Sequence, residues 1–309
     1  MTARAHTPDI PVRAVLLGAF ACLTWSTVFV LGRWAIHHEE PTDPVVLGLY
    51  RFGTSGIVLA AAMAVMGRGR ALGAIVREPL PFLALGLTGG FAMGFFVFLA
   101  LERTNSTVVQ IIMNSNPVLI VPMSLLIGER VGVGKVMGVA LGVAGCLLVL
   151  GGVPAQVAAG NPQHVLGGLL AALSGLSWAV YTVAGRNVVR RHGALTTTTL
   201  SMLIGGLVFL VVCLALGKSL VLTRRGALVG IYLGLVPTAL GFTAWYVALE
   251  DLPANVLGPL QFIVPVGGVL LAVALLHEEV SAVTVLGGVL SLVGVYLSTR
   301  AVGAKARCE

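Results

Sequence analysis

Charge is what this sequence has least of. Asp and Glu number 12 and Lys and Arg 19 in 309 residues, so only 10% of the chain is charged while 57% is hydrophobic. A water-soluble globule of this length needs more polar surface than that, and a mean hydropathy of +1.00 makes lipid the main solvent. The scarcity also bears on chemistry. No paired carboxylates, nucleophile with a base, or metal-ligand cluster falls at a usable spacing, so an enzyme is not expected, nor any metal or cofactor. Cys22, Cys146 and Cys213 lie in apolar runs and Cys308 near the C-terminus, with no CxxC spacing, which reads as small hydrophobes rather than disulfides or ligands. Asp, Glu and His all map to loops or span ends, leaving no intramembrane proton relay and favouring facilitated diffusion or exchange. No stretch remains for a soluble signalling module, which counts against a sensor or scaffold.

What the chain does have is apolar stretches of about 20 residues, each long enough to cross a hydrocarbon core as a helix. They fall at about Val12–Ile36, Pro44–Met66, Pro79–Leu101, Thr107–Ile127 and Gly132–Leu150, then Val165–Ala184, Ala194–Leu216, Ala227–Leu249, Ala254–Leu276 and Val280–Leu297. The expected fold is all-α and membrane-integral, with ten transmembrane helices in two five-helix halves, residues 12–150 and 165–300. A net charge of +7 would suggest nucleic acid in a soluble protein. Here Lys and Arg sit in short joints between spans and report topology, so no nucleic-acid partner is expected. With the N-terminus in the cytoplasm, about 13 of them fall inside and about five outside. Both termini are therefore expected in the cytoplasm and the chain in the cell membrane. The joint carrying Lys218, Arg224 and Arg225 runs against this threading. The N-terminal run ending at Cys22 resembles a signal peptide, but the internal repeat argues that it is retained.

That repeat is visible in the residues. "LTWSTVFVLGR" (Leu23 to Arg33) lies over "LSWAVYTVAGR" (Leu176 to Arg186), matching Leu, Trp, Val, Gly and Arg at identical spacing. "ALER" (Ala100 to Arg103) lies over "ALED" (Ala248 to Asp251), followed by Pro117 over Pro265 and Glu129 over Glu278, with a one-residue slip between Pro and Glu. Five spans is an odd number, so the second copy enters the membrane from the opposite side, as in the inverted repeats of secondary transporters.

With these features the chain resembles the drug/metabolite transporter superfamily in its EamA-type branch. The paired "LTW…GR" and "LSW…GR" helices, Arg51-Phe52 in the second span, "ALER" with "ALED", and the helices ending "LLIGERV" and "LLHEEV" carry the resemblance. It runs from about Ala14 to Leu150 and again from Val165 to Thr299. It implies ten helices around a central cavity, alternating access, and export of amino acids, other metabolites or toxic compounds. The expected function is a secondary transporter exporting small organic metabolites, amino acids or related compounds first, with a multidrug exporter as the alternative. His277 stands where the family usually has Gly before Glu, and little consequence is expected at a helix end.

Polar and aromatic side chains at membrane depth are the candidate substrate-binding residues, since polar groups facing lipid are costly. Gln110 and Asn114 stand one turn apart ahead of Pro117, and either line a pathway or hold helices together. Gln261 in the ninth span aligns in the repeat with Met113 and is expected to approach the same cavity. Trp25 and Trp178 hold corresponding mid-span positions, and either stack on a substrate or pack helices. Tyr181 shares the face of Trp178. Arg51, the only basic residue within a span and roughly 9 Å from its helix start, either binds a substrate carboxylate, snorkels, or pairs with Glu102, with the structural role favoured. Trp245 and Tyr246 read as interfacial, and Thr196–Thr199 as a solvated helix entry or backbone-bonded run. The ladder Gly134, Gly138, Gly142, with Gly287 and Ser291, permits close helix contact within the bundle or in a homodimer.

Overall fold

The computed structural model describes residues 12–115, 133–151, 161–251, 260–261 and 263–303. Among these every regular element is helical. In chain order the α-helices are α1 (Val12–His37), α2 (Pro44–Val65), the short α3 (Ala74–Arg77), α4 (Pro79–Leu85), α5 (Met93–Arg103), α6 (Ser106–Asn114), α7 (Val133–Gly151), α8 (Pro162–His192), α9 (Ala194–Ala215), α10 (Arg224–Leu233), α11 (Gly241–Asp251), α12 (Ile263–Leu276) and α13 (Ala282–Gly303). A 3₁₀ turn (Gly69–Gly73) precedes α3, and π-helical segments Gly86–Ala92 and Gly234–Leu240 join α4 to α5 and α10 to α11. Among the described residues, six helical stretches, including the continuous Pro79–Arg103 and Arg224–Ala248, are long and apolar enough to cross a membrane. Pro117, Glu129 and the rest of the expected fourth span beyond Ser115 lie outside the described residues.

Local chemistry sets the boundaries. Asp43 caps α2 by accepting from the Val45 and Val46 N–H groups, with Pro44 in the first turn. Asn161 with Pro162 starts α8 in the same way, and Thr223 caps α10. Gly67, Gly193 and Gly217 follow helix ends at φ of 70°, 77° and 63°, where a side chain would be strained. Helix α8 runs past the expected end near Ala184 to His192, because Arg191 reaches Glu78 at 2.7 Å and His192 lies 3.6 Å from it. The apolar run of α8 stops ahead of Arg186, and Arg190, Arg191 and His192 follow, so the last turns carry charge beyond the apolar slab. On α9, Leu207, Val211 and Leu214 are about 60% exposed at i, i+4, i+7 spacing and form an outward apolar stripe of the kind lipid solvates.

His277 follows α12 at φ 53°, the one described non-glycine residue at positive φ. In this left-handed geometry a side chain is strained and glycine is not, which is why glycine suits this place. His277→Gly is expected to stabilise the protein by about 0.5–1 kcal/mol, the relieved strain less the added chain entropy. A melting temperature in detergent equal to or below that of the parent would contradict this.

Packing is reciprocal between the two halves. Helix α1 packs on α11 and α12, while α8 packs on α5 and α6. Helix α2 packs on α9 and on the π segment Gly234–Leu240, while α9 packs on the π segment Gly86–Ala92. Each π segment begins the same number of residues ahead of its "ALER" or "ALED". Small residues permit these crossings: a Cβ on Gly205 would meet the Gly90 backbone at 2.3 Å, and one on Gly56 the Leu203 nitrogen at 2.8 Å. The Gly138, Gly142, Gly145 edge of α7 packs directly on Gly287, Ser291 and Gly294 of α13. The small-residue ladder is thus used within the chain.

One end of the bundle is held by Glu278, whose side chain is 8% exposed. Its Oε1 accepts from the Ser106 N–H at 2.9 Å and hydroxyl at 2.8 Å, and its Oε2 from the Thr107 N–H at 3.2 Å and hydroxyl at 2.8 Å. The carboxylate therefore caps the N-terminus of α6 from a remote part of the chain. Arg33 Nε lies 3.7 Å from Glu278 Oε1, and Arg33 Nη1 also donates to the Leu101 and Thr104 carbonyls at 2.6 and 2.7 Å. Helices α1, α5, α6 and α12 meet at this knot.

One expectation about side chains needs correction, and one is narrowed to a single alternative. Trp245 and Tyr246 are 4% and 6% exposed and sit in the core rather than at an interface, because α11 packs on α1 and carries its aromatic face inward. Thr196–Thr199 are buried rather than solvated. Thr197 and Thr199 donate to the Gly193 and Leu195 carbonyls, the backbone-bonded alternative.

Candidate functional site

Between the halves lies a small cavity of about 40 Å³, well below the volume of an open small-molecule site. Its apolar wall begins with Trp25 of α1 and Trp178 of α8. Their rings meet edge to face at 5.6 Å, and Phe242 of α11 completes a triad at 5.5 and 5.4 Å from them. Three aromatic rings, two carrying an N–H, make a surface suited to flat or apolar ligands. Trp25 spends its N–H on the Pro237 carbonyl at 2.9 Å.

That acceptor belongs to the π segment Gly234–Leu240. Pro237 has no N–H to give, so a carbonyl about one turn before it loses its backbone donor, and the widened turn shifts the register of the carbonyls in the segment. Thr238, next in sequence, donates to the Leu233 carbonyl at 2.7 Å and accepts from Arg51 Nε at 2.9 Å. The bulge thereby fixes both a tryptophan and an arginine.

Arg51 is 4% exposed and lines the cavity. It does not pair with Glu102, whose carboxylate is taken by the adjacent Arg103. Helix α2 turns Arg51 inward, toward the π segment Gly234–Leu240 and α5, while Glu102 sits near the end of α5. The guanidinium carbon lies 4.8 Å from the Phe52 ring centre and 5.7 Å from that of Phe98, close enough for cation–π attraction. Among the described residues it makes no ion pair.

Asn114 and Gln261 also line the cavity, from α6 and from the turn ahead of α12. Asn114 Nδ2 donates to the Gln110 carbonyl at 2.7 Å, which orients its amide. Gln110 itself is elsewhere. It is fully buried where α6 crosses α12, so tightly that a Cβ on Gly268 would lie 1.7 Å from its Oε1. Neither amide atom is hydrogen-bonded among the described residues. Tyr181 likewise stands behind the wall, with ring centres 5.7 Å from Trp178 and 6.4 Å from Phe242, and it packs on Gly89. Of the seven expected residues, the structure brings Trp25, Arg51, Asn114, Trp178 and Gln261 together and leaves Gln110 and Tyr181 outside the lining.

Sequence reasoning missed Phe242 and Thr238. Phe242 is one turn before Trp245, a spacing that places the two aromatics on one helix face. Thr238 follows a mid-span proline, the available sign of a disturbed helix.

Comparison with known proteins adds the following. The family model described as the EamA-like transporter family matches residues 12–151 and 165–300. The chain is 30% identical over 273 residues, 84% of its length and 88% of the relative's, to the aromatic amino acid exporter YddG of Ancylobacter novellus. It is 27% identical to an uncharacterized transporter of Archaeoglobus fulgidus, over 92% of this chain and 96% of that one. A probable amino-acid metabolite efflux pump of Escherichia coli is 24% identical over 92% of this chain and 93% of its own. A solved crystal structure, 28% identical, superposes with a TM-score of 0.66 over 93% of this chain and 97% of its own.

Proposed function

Because this chain belongs to the EamA-like transporter family, we propose that it exports amino acids or closely related small organic compounds across the cytoplasmic membrane by alternating access. Ten spans in two inverted five-helix repeats do this, with both termini in the cytoplasm. The observation that carries it is the meeting of Trp25 and Trp178: equivalent positions in the two sequence repeats face each other at 5.6 Å over one cavity. The reciprocal packing of α1 and α8 and the matching π segments support the same two-fold arrangement. A site on the axis between two inverted halves is reached from either side by rocking one half against the other. Relatives named as amino acid exporters and metabolite efflux pumps support the substrate class.

In this site Trp25, Trp178 and Phe242 form the apolar wall, and Asn114 and Gln261 orient the substrate by hydrogen bonds. Gln110 and Tyr181 act indirectly, by holding α6 against α12 and by backing Trp178. Counterflow of labelled tryptophan or phenylalanine into liposomes holding the purified protein and unlabelled substrate tests the function; absence of uptake above protein-free liposomes for any amino acid would sink it. Asn114→Ala is expected to weaken binding about 5- to 150-fold, the equivalent of losing a contact of about 1–3 kcal/mol. Gln110→Ala is expected to leave affinity within about threefold, under 0.7 kcal/mol. Titrations on monodisperse proteins check both, and unchanged affinity in Asn114→Ala would remove that residue from the site.

A further inference from the structure

The geometry points to a substrate recognised by its negative charge: we infer that Arg51 is a carboxylate anchor, and that the cavity takes organic monocarboxylates with an apolar body whether or not they carry an α-amino group. This rests on the cavity being the substrate site and adds a chemical class to it.

The premise is an uncompensated cation. Arg51 is 4% exposed, two turns into α2, a helix long and apolar enough to cross a membrane. Nε is bonded to the Thr238 hydroxyl, and the other guanidinium N–H groups have no acceptor among the described residues. A buried charge without a counter-ion is expensive, and two neighbouring aromatic rings offset only part of the cost. Stability alone does not account for it, because an apolar side chain would fit among Phe52, Phe98 and Met93 without that penalty. A ligand carboxylate supplies what is missing. The planar fork of a guanidinium matches the two oxygens of a carboxylate, and the bond is strong in a water-poor site.

The remainder of the lining sets the other half of the selectivity. None of the described lining residues is Asp or Glu. An ammonium group therefore meets only neutral amides and indole faces, while the carboxylate meets a full charge. The aromatic triad takes the apolar body. Such a site ranks anion above zwitterion above cation, with the α-amino group as a tolerated passenger.

Titration calorimetry of the purified full-length protein with 3-phenylpropanoate, its neutral isostere 3-phenylpropanamide, and phenylalanine amide tests this. Wild type is expected to bind the acid about tenfold or more tighter than the neutral amide, and the cationic phenylalanine amide most weakly. In Arg51→Gln the acid is expected to weaken by about tenfold or more while 3-phenylpropanamide stays within about threefold, closing the gap. The wild-type ranking stands as a test even if the variant does not fold. Equal binding of acid and amide by wild type, or a gap that survives in Arg51→Gln, overturns the anchor and leaves the cavity as a binding site. Binding of none of the three ligands overturns the anchor and the cavity together.

Discussion

Removal of the Glu278 carboxylate is expected to open the end of the bundle that it now closes. The two oxygens accept four hydrogen bonds from Ser106 and Thr107 and sit beside Arg33, so Glu278→Ala deletes a helix cap and an interhelical tie in one step. A helix cap contributes about 0.5–2 kcal/mol, and bonds to a charged group about 1.5–3 each when buried. Water solvates the freed groups once the end parts, so we take about 3 kcal/mol as the net difference between closed and open arrangements. That shifts their ratio by roughly 150-fold. The observable is the labelling rate of Met113→Cys, a cavity position, by a membrane-impermeant thiol reagent applied from the Glu278 side, in a background with the native cysteines replaced. An increase of at least tenfold is expected in Glu278→Ala, with Glu278→Gln intermediate because one oxygen still accepts. An unchanged labelling rate in Glu278→Ala would show that the knot stabilises the fold without governing access.

The other large effect is expected at the Gly90–Gly205 crossing. A Cβ on Gly205 would lie 2.3 Å from the Gly90 carbonyl carbon, 2.4 Å from its oxygen and 2.5 Å from its Cα. These are backbone atoms of the π segment, and no side-chain rotation relieves the overlap. Overpacking where side chains give way costs about 1–3 kcal/mol, and here α9 must separate from the segment that also carries Gly89 against Tyr181. Gly205→Leu is therefore expected to cost about 3 kcal/mol or more and to abolish monodisperse protein on size-exclusion chromatography. Gly53→Ala is the control on α2: its Cβ would meet nothing nearer than the Leu49 Cδ1 at 3.7 Å. The control is expected to be neutral or to stabilise by up to about 1 kcal/mol. A well-folded Gly205→Leu protein would show that the two elements move apart cheaply.

Much of this was legible from residues alone. A hydropathy sum over about 20 residues is a local quantity, so spans such as Pro44–Val65 and Ala194–Ala215 could be read without knowing their neighbours. The tryptophans were legible for a different reason: a repeat aligns Trp25 with Trp178, and the two rings meet in the lining of one cavity. Asn114 and Gln261 followed from the cost of placing an amide against lipid.

Facing and partnership were not legible, because successive residues on a helix point about 100° apart and a small change in phase moves a side chain from cavity to crossing. Gln110 and Asn114 share a face, yet one turn along the axis separates a packed contact with Gly268 from the cavity. Arg51 has Glu102 as a plausible partner in the sequence, and only the assembled bundle brings it to Thr238 and gives Glu102 to Arg103. Glu278 and the α6 cap lie more than 170 residues apart, beyond any local rule. Composition and repeat thus determined the solvent, the halves and the residue types available at depth, since each is a sum or a match along the chain. The π segments and glycine crossings decided which of those residues meet, since they set the rotation and approach of helices whose contacts are remote in sequence.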